Sequence, residues 1–592
     1  TPASKSSVGK RKATKVSKAK AAKVSKQLPI RIYRIASLAE IRLCWHSSVK
    51  RFAIDVPTGV STIAQKAFDE THANVDTTNN KPRIVRVKPR IVGVKLPPSV
   101  TSILGAAFSN CTFLETVNIP TTVKYIGDGA FFNCGLTSIY IPPSVSRLGI
   151  SQLEFGHLTT TVFPHGVFSS CRNLTSISLP DSVTCVGERT FSSCQLLSSV
   201  TLPRYITRIP SHMFYGCSNL RAIKIPDSVT VIEASAFALT GLRSIDLPAS
   251  VTRVENGAFQ NSEHLTSVRL VNVSHIGADA FIGCHRLKRI VIPNTATSLG
   301  ANVFANCVAL TSIGLPDSMT CVQPYAFLGC SALKSIVLPK DLVFIDNSAF
   351  KNCRALVNIT IPNSVCSIGD QAFASCAMLT AFQFPTSLSK IEASVFSQCV
   401  RLRSVTIPPN VTSIGPNVFQ RCHSLTAIKI PNSVCMIGSA AFEHCMSLTS
   451  IKLPNSLRYL LSSFGECSAL TSVTLPNALV FIDNSAFSGL PLKSITIPKT
   501  VVRIGDHAFA SCHSLLSLVL PNAVTLVGKG AFSSCTRLVS IHLPDSIMAI
   551  GASAFQGCAS LSSVKLPSRL STLSPRTFSH CTSLLSISVP PL

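Results

Sequence analysis

The chain has 592 residues, of which 46% are hydrophobic and 14% charged, with 54 Lys and Arg against 26 Asp and Glu. This composition excludes disorder for most of the chain, because it supplies enough apolar side chains to build a core. No apolar run reaches the roughly 18 residues that a membrane-spanning helix needs, so no transmembrane helix is predicted.

The amino-terminal segment, residues 1–26, is strongly basic. It contains nine Lys and Arg residues and no acidic or aromatic residue, which is typical of a disordered tail. Such a tail either contacts nucleic acid or an anionic surface or only improves solubility, and the lack of aromatic interleaving favours the second interpretation. The candidate contact residues of this basic arm are Lys10, Arg11, Lys12, Lys15, Lys18 and Lys20.

The next segment, residues 27–95, is expected to form an irregular cap with one degenerate repeat. It contains Tyr33, Trp45 and several apolar residues, and its repeat-like part runs from Pro57 to Phe68. Residues 1–95 together hold 21 Lys and Arg against 5 Asp and Glu. The surplus positive charge is therefore concentrated at this end of the chain.

Residues 96–592 form a long internal repeat. Phe recurs every 22 or 23 residues from Phe168 to Phe578, and the whole ladder, which starts earlier at Phe68, contains 22 Phe residues. One unit, from Ala349 to Asp370, reads AFKNCRALVNITIPNSVCSIGD. A unit of this length cannot bury its own apolar side, so successive units must stack as the rungs of a solenoid.

Each rung begins with a short strand. In residues 335–338 the apolar side chains alternate, which places Ile336 and Leu338 on one face and Val337 on the other. Pro follows this strand in 22 rungs and ends it, because Pro has no N–H to donate to a ladder. The following S-V-x-x-I-G pattern indicates a second short strand. We refer to these as the first and second strands of a rung.

The remainder of the rung, here called the Phe segment, suggests a helical turn. Ala349, Phe350, Cys353 and Leu356 follow one another at steps of one, three and three, which fits a short helical or 3₁₀ turn with one inward face. The predicted fold is therefore an α/β repeat solenoid of about 22 rungs, each with one or two short parallel strands and a short helical turn.

The repeat also resembles a known family. The segment from Leu174 to Cys194, LTSISLPDSVTCVGERTFSSC, resembles the BspA-type leucine-rich repeat. The resemblance implies a leucine-rich-repeat solenoid related to surface proteins of bacteria and protozoa that adhere to host or matrix proteins, and it carries no catalytic residues. It implies a secreted or cell-surface location, whereas a true start at Thr1 after removal of Met would favour an intracellular one.

The chemistry-bearing residues argue against catalysis. Eighteen of the 23 Cys lie three residues after a ladder Phe, where a thiol is expected to pack as a small hydrophobe. The chain has no C-x-x-C, Walker or G-x-G-x-x-G motif. We therefore predict no enzyme and no catalytic, cofactor or metal site.

The surface remains as the functional element. The outward position of the first strands forms a mostly neutral row with basic points, which suits an extended protein ligand. We predict a non-enzymatic interaction or adhesion protein; the alternative is an intracellular or nuclear scaffold whose basic arm contacts nucleic acid or acidic surfaces. The candidate partner-binding residues are Lys224, Arg269, Lys429, Lys452, His542 and Lys565.

Overall fold

The computed structural model describes residues 42–46, 51–56, 59–64, 67–68, 90–149 and 164–590. The predicted basic tail, residues 1–26, lies outside the described residues, as does much of the predicted cap. By their contacts the described residues form two compact units, which lie within 1–203 and 204–592. The assignment of residues 96–592 to one solenoid stays a prediction.

The described residues of the first unit contain eleven strands: β1 (Arg42–His46), β2 (Arg51–Asp55), β3 (Thr62–Ile63), β4 (Arg90–Lys95), β5 (Ser102–Ile103), β6 (Thr116–Asn118), β7 (Tyr125–Ile126), β8 (Arg147–Leu148), β9 (Ser176–Ser178), β10 (Cys185–Val186) and β11 (Ser199–Thr201). β1 and β2 are antiparallel, and β2 continues into the parallel order β2–β4–β6. The second strands follow the parallel order β3–β5–β7–β8–β10.

The second unit contains the remaining strands: β12 (Arg208–Ile209), β13 (Val231–Ile232), β14 (Ser244–Asp246), β15 (Arg253–Val254), β16 (Ser267–Arg269), β17 (His275–Ile276), β18 (Arg289–Val291), β19 (Ser298–Leu299), β20 (Ser312–Gly314), β21 (Cys321–Val322), β22 (Phe344–Ile345), β23 (Ser367–Ile368), β24 (Ala381–Gln383), β25 (Lys390–Ile391), β26 (Ser404–Thr406), β27 (Ser413–Ile414), β28 (Met436–Ile437), β29 (Ser450–Lys452), β30 (Tyr459–Leu460), β31 (Ser472–Thr474), β32 (Phe481–Ile482), β33 (Arg503–Ile504), β34 (Ser517–Val519), β35 (Leu526–Val527), β36 (Ser540–His542), β37 (Ala549–Ile550), β38 (Ser563–Lys565) and β39 (Ser586–Ser588).

Parallel pairing of equivalent strands builds the second unit as a stack of repeats. Its three-residue strands are first strands, its two-residue strands are second strands, and each kind pairs only with its own kind. For example, Ser244 of β14 lies opposite Ser267 of β16, one repeat later. The predicted parallel-strand solenoid is therefore confirmed.

The predicted in–out alternation is present in residues 335–338, although this segment lies between β21 and β22 and is not itself a strand. Ile336 and Leu338 are 7% and 8% exposed, whereas Val337 between them is 85% exposed. The two apolar residues face the core of the stack, and the third faces water. The second strand buries its last residue in the same way, as Ile368 does in β23.

The predicted helical turn is wrong, because no helix occurs in the described residues. In the Phe segment of one rung, the N–H groups of Ala349 and Cys353 donate to carbonyls three residues earlier. The N–H groups of Ser348, Phe350 and Asn352, which alternate with them, donate instead to the next rung. Ser348 and Asn352 adopt positive φ angles of 54° and 63°. The segment is thus a series of tight turns that bond to the neighbouring rung.

Spacing explains why a helix is disfavoured here. An α-helix with its side chains is about 10–12 Å wide, whereas paired strands are only about 4.8 Å apart. A helix in every rung could not stack at the strand spacing without strong curvature. The alternating turns keep the spacing and still place Ala349, Phe350, Cys353 and Leu356 in the core, all fully buried.

The Phe residues form a continuous column in the core. In the second unit, each ring from Phe214 to Phe578 stacks on the next at centroid distances of 5.1–6.4 Å. Burial of one such side chain contributes about 1.5–3 kcal/mol before entropy is considered. The column is therefore a major source of stability.

The Cys ladder runs beside this column. The Sγ of Cys353 donates to the carbonyl oxygen of Phe327 in the preceding rung at 3.2 Å, and the same contact recurs from Cys284 to Cys581. Where Ser262 replaces Cys, its Oγ donates to the oxygen of Phe237 at 2.8 Å. Cys353 is a buried free thiol. The residue therefore fills space and also supplies a hydrogen-bond donor.

Candidate protein-binding face

The first strands of the second unit expose a regular set of side chains. Each reads L-x-x-Φ-x-Φ, where Φ is Ile, Leu, Val or Phe, as in residues 448–453, where Leu448, Ile451 and Leu453 are buried. The three intervening positions, here Thr449, Ser450 and Lys452, are exposed. We define the first-strand face as these three exposed positions in successive rungs of the second unit.

All six residues predicted to contact a partner lie on this face. Each is exposed and stands between two inward apolar residues, as Lys429 does between Ile428 and Ile430. None forms an ion pair with another described residue. The six are Lys224, Arg269, Lys429, Lys452, His542 and Lys565.

The structure distributes these six side chains along the face instead of gathering them into one site. Arg269 lies opposite Asp246, and Lys452 lies opposite Thr474. Lys429 forms an isolated bridge with Thr406, and His542 lies opposite Val519. Their role as a binding site stays a prediction.

The prediction missed the other two exposed positions of each rung. Arg221, Arg243 and Lys288 occupy the first of these positions, and Arg289 occupies the second. All four are exposed. An alignment of the rungs by column would have revealed them, because in most other rungs these positions hold Thr or Ser.

The second-strand face differs in its electrostatics. Arg208 forms an ion pair with Glu233 at 3.3 Å, and Arg253 forms one with Glu255 at 2.8 Å. His275 also lies 3.9 Å from Glu255. Cations of the second strands in these rungs are thus partly neutralised by acids of the protein itself.

The ladder thiols are poor nucleophiles. Burial raises the pKa of Cys399 and of Cys467 to about 12, although a backbone hydrogen bond acts in the opposite direction. Because the thiolate is the reactive form, these groups are unreactive at neutral pH. Ladder cysteines in this environment are structural.

An open groove lies along the second strands. Its volume is about 420 Å³, and its lining includes Cys321, Phe344, Asp346, Asp370 and Glu392. In the described part of the chain, no group of three or more His, Cys, Asp or Glu is arranged to hold a metal ion. The same residues include no helix long and apolar enough to cross a bilayer.

The basic arm cannot be placed in this arrangement. Its candidate residues, Lys10 to Lys20, lie outside the described residues. Contact of the arm with nucleic acid or an anionic surface therefore stays a prediction.

Comparison with protein families identifies the repeat. The model of the BspA type leucine rich repeat region matches residues 42–153, 150–266, 274–403, 389–516 and 502–591. The chain belongs to the BspA-type leucine-rich repeat family. Proteins built from such repeats are generally non-enzymatic binding scaffolds. No curated protein shows significant similarity to this BspA-type chain.

Several solved structures are similar to this BspA-type chain. A leucine-rich repeat protein from Bacteroides ovatus is 23% identical, with 93% of this chain and 98% of that chain covered and a TM-score of 0.32. One from Eubacterium ventriosum is 20% identical, covering 66% and 82%, with a TM-score of 0.30. The T. pallidum leucine-rich repeat protein is 28% identical, covering 33% and 82%, with a TM-score of 0.27.

Proposed function

We propose that this chain is a non-enzymatic interaction protein that binds an extended protein partner on its first-strand face. The observation that carries the proposal is the exposure of apolar side chains among polar ones on this face. Val291 and Val337 are 70% and 85% exposed at the outward position, where most other rungs carry Thr, Lys or another polar residue. Exposed apolar side chains with polar neighbours are typical of protein-binding surfaces.

The dimensions of the face suit such a partner. Five extended residues span about 17 Å across the face, and ten rungs at about 4.8 Å extend about 48 Å along it. The product is about 800 Å², which is the area that one side of a stable protein–protein interface buries. An extended partner could therefore gain sufficient contact from many modest interactions.

The test uses two variants that differ only in the face they alter. Proteins that bind to the immobilised full chain are identified first. Their affinity is then measured for the wild type and for Thr360→Arg/Thr406→Arg, which changes the first-strand face. The control is Ser367→Arg/Ser413→Arg in the second strands of the same rungs. Arg occurs naturally at both positions, as Arg269 and Arg253 show, so both variants are expected to fold.

We expect the first variant to bind the partner about tenfold more weakly or worse than the wild type, and the control to change the affinity by less than about twofold. Equal effects of the two variants would contradict the assignment of the face. Failure of the full chain to retain any protein would contradict the function itself.

A further inference from the structure

Four consecutive rungs of the second unit carry an unusual density of positive charge on the first-strand face. The rungs contain the segments 220–224, 242–246, 265–269 and 287–291, and the only acidic residue in these segments is Asp246. We call the exposed cations of these four segments the basic patch. They are Arg221, Lys224, Arg243, Arg269, Lys288 and Arg289.

Backbone hydrogen bonds hold these rungs in register. The N–H of Arg243 donates to the carbonyl oxygen of Arg221 at 3.1 Å, and the N–H of Thr266 donates to that of Arg243 at 2.8 Å. Asp246 of β14 and Arg269 of β16 lie directly opposite each other in the parallel sheet. These contacts join the first three rungs on the first-strand side, and the pairing of β17 with β19 joins the third rung to the fourth on the second-strand side. The side chains of the patch therefore emerge from rungs that are held near the strand spacing of about 4.8 Å.

No described acidic residue forms an ion pair with any cation of the basic patch. The second strands of the same rungs provide the contrast, because Arg253 is paired with Glu255, and His275 lies 3.9 Å from the same carboxylate. Like charges closer than about 8 Å, the screening length at physiological ionic strength, still repel one another. An anionic ligand would remove this repulsion, and Arg can bind a carboxylate through two parallel hydrogen bonds.

The surroundings of the patch favour a polypeptide over a nucleic acid. The four segments contain no aromatic residue, whereas proteins that bind single strands usually stack bases on aromatic side chains. The outward row continues from the patch through Val291, Gly314 and Val337, and both Val side chains are exposed. A ligand that extends beyond the cations thus meets an apolar surface, which suits apolar side chains and not a phosphate backbone.

We propose that the basic patch and the adjoining valines bind an extended segment of the partner protein in which acidic residues are followed by apolar ones. This inference rests on the proposed function and specifies the partner of that face. Four rungs span about 15–19 Å, which corresponds to about five extended residues. The acidic part of the segment is therefore about five residues long, and its apolar part lies over Val291 and Val337.

The test uses a fluorescein-labelled synthetic peptide with five alternating Asp and Glu residues followed by Val-Leu-Val-Leu, and measures fluorescence anisotropy with the full chain. The patch variant is Arg221→Ser/Arg243→Thr/Lys288→Thr, which introduces the residue types found at this position in other rungs, such as Thr266 and Thr311.

The control variant removes the same number of positive charges from another face. It is Lys390→Ser/Arg458→Thr/Arg503→Ser, all on or beside second strands, where other rungs also carry Ser or Thr. The patch variant is expected to weaken peptide binding about tenfold and the control less than about threefold. Binding of the wild type should also weaken as salt rises from about 0.05 M to about 0.5 M.

Three results would overturn the proposal. The first is that the patch and control variants weaken peptide binding equally. The second is that a peptide with Asn and Gln in place of Asp and Glu binds as tightly as the acidic peptide. The third is that heparin or a single-stranded oligonucleotide binds more tightly than the acidic peptide. The Thr360→Arg/Thr406→Arg variant separates this inference from the proposed function. If the retained protein loses affinity with that variant but the peptide does not bind, the function stands and only the acidic-segment inference fails.

Discussion

The contact between Cys353 and Phe327 predicts a specific order of stability among substitutions. The Sγ donates to the Phe327 oxygen at 3.2 Å, and this oxygen also accepts the N–H of Cys330 at 3.1 Å. Cys353→Ser keeps a donor, as Ser262 does at 2.8 Å from the Phe237 oxygen. Cys353→Ala removes the donor and leaves a small void.

The magnitudes follow from these two effects. Loss of a weak thiol hydrogen bond costs up to about 1 kcal/mol, and a void the size of one atom adds about 1 kcal/mol. We therefore expect Cys353→Ala to destabilise its rung by about 1–2 kcal/mol. Cys353→Ser should cost less than about 1 kcal/mol, because its hydroxyl is buried but keeps a partner.

Hydrogen exchange of peptides that cover residues 327–376 is the suitable assay. Repeat proteins open locally, so a single unfolding free energy of the whole chain would hide the effect. Cys366→Ala is the matched control, since Cys366 is exposed and lies in the same region. The reasoning would be refuted if the Ser variant exchanged faster than the Ala variant, because the thiol would then act only as an apolar filler.

Three other predictions test the core and its titration. Phe350→Ala should lower local stability by about 3–5 kcal/mol and so raise the rate of hydrogen exchange in its own and the adjacent rungs. Val337→Ala, at an exposed position, should change stability by less than about 0.5 kcal/mol. Equal effects of the two substitutions would contradict the buried column. Because burial raises the pKa of Cys399 to about 12, iodoacetamide should label exposed Cys366 in the native protein and Cys399 only after unfolding, as peptide mass spectrometry can verify. Burial, assisted by the nearby Glu188 carboxylate, raises the pKa of Asp128 from 3.8 to about 7. The folded state then holds more protons than the unfolded state between about pH 4 and pH 7, so the free energy of unfolding falls as pH rises through this range. Asp128→Asn should remove at most about 4 kcal/mol of that loss. The prediction would be refuted if the free energy of unfolding, measured with urea at several pH values, depended on pH equally in the variant and the wild type.

The sequence predicts the stacking well because stacking depends on apolar periodicity. Ile336 and Leu338 face the core and Val337 faces water, as the period of two requires. Phe350 and Cys353 are likewise buried where the repeat places them. These outcomes depend only on which side chains avoid water, and the repeat shows the same apolar pattern in each copy.

The backbone of the Phe segment was not predicted because spacing alone does not distinguish a helix from a series of turns. The inward spacing from Ala349 to Leu356 fits both. The distinguishing signal was the residue two positions after Phe, often Asn, Ser or Gly, as at Asn306, Asn352 and Gly283. Gly and Asn tolerate positive φ better than most residues, and Asn306, Asn352 and Gly283 all have it here.

The candidate binding face was only partly predictable. The outward row identified Lys224 and Arg269, but the basic patch depends on neighbours that are 22 or 23 residues apart in sequence, such as Arg221 and Arg243. Charge density on a stack is a property of columns across rungs. A search along the chain for clustered charges therefore does not find it.

In most rungs of the second unit the turn segments offer the same bonding edge. Ser348, Phe350 and Asn352 donate to the following repeat just as their counterparts Gln371, Phe373 and Ser375 do one repeat later. A gene could therefore lose or duplicate one such module without any redesign at the junction. Evolution can in this way lengthen or shorten the first-strand face in small equal increments, so that copy number would set the length of partner segment that the proposed binding face can accommodate.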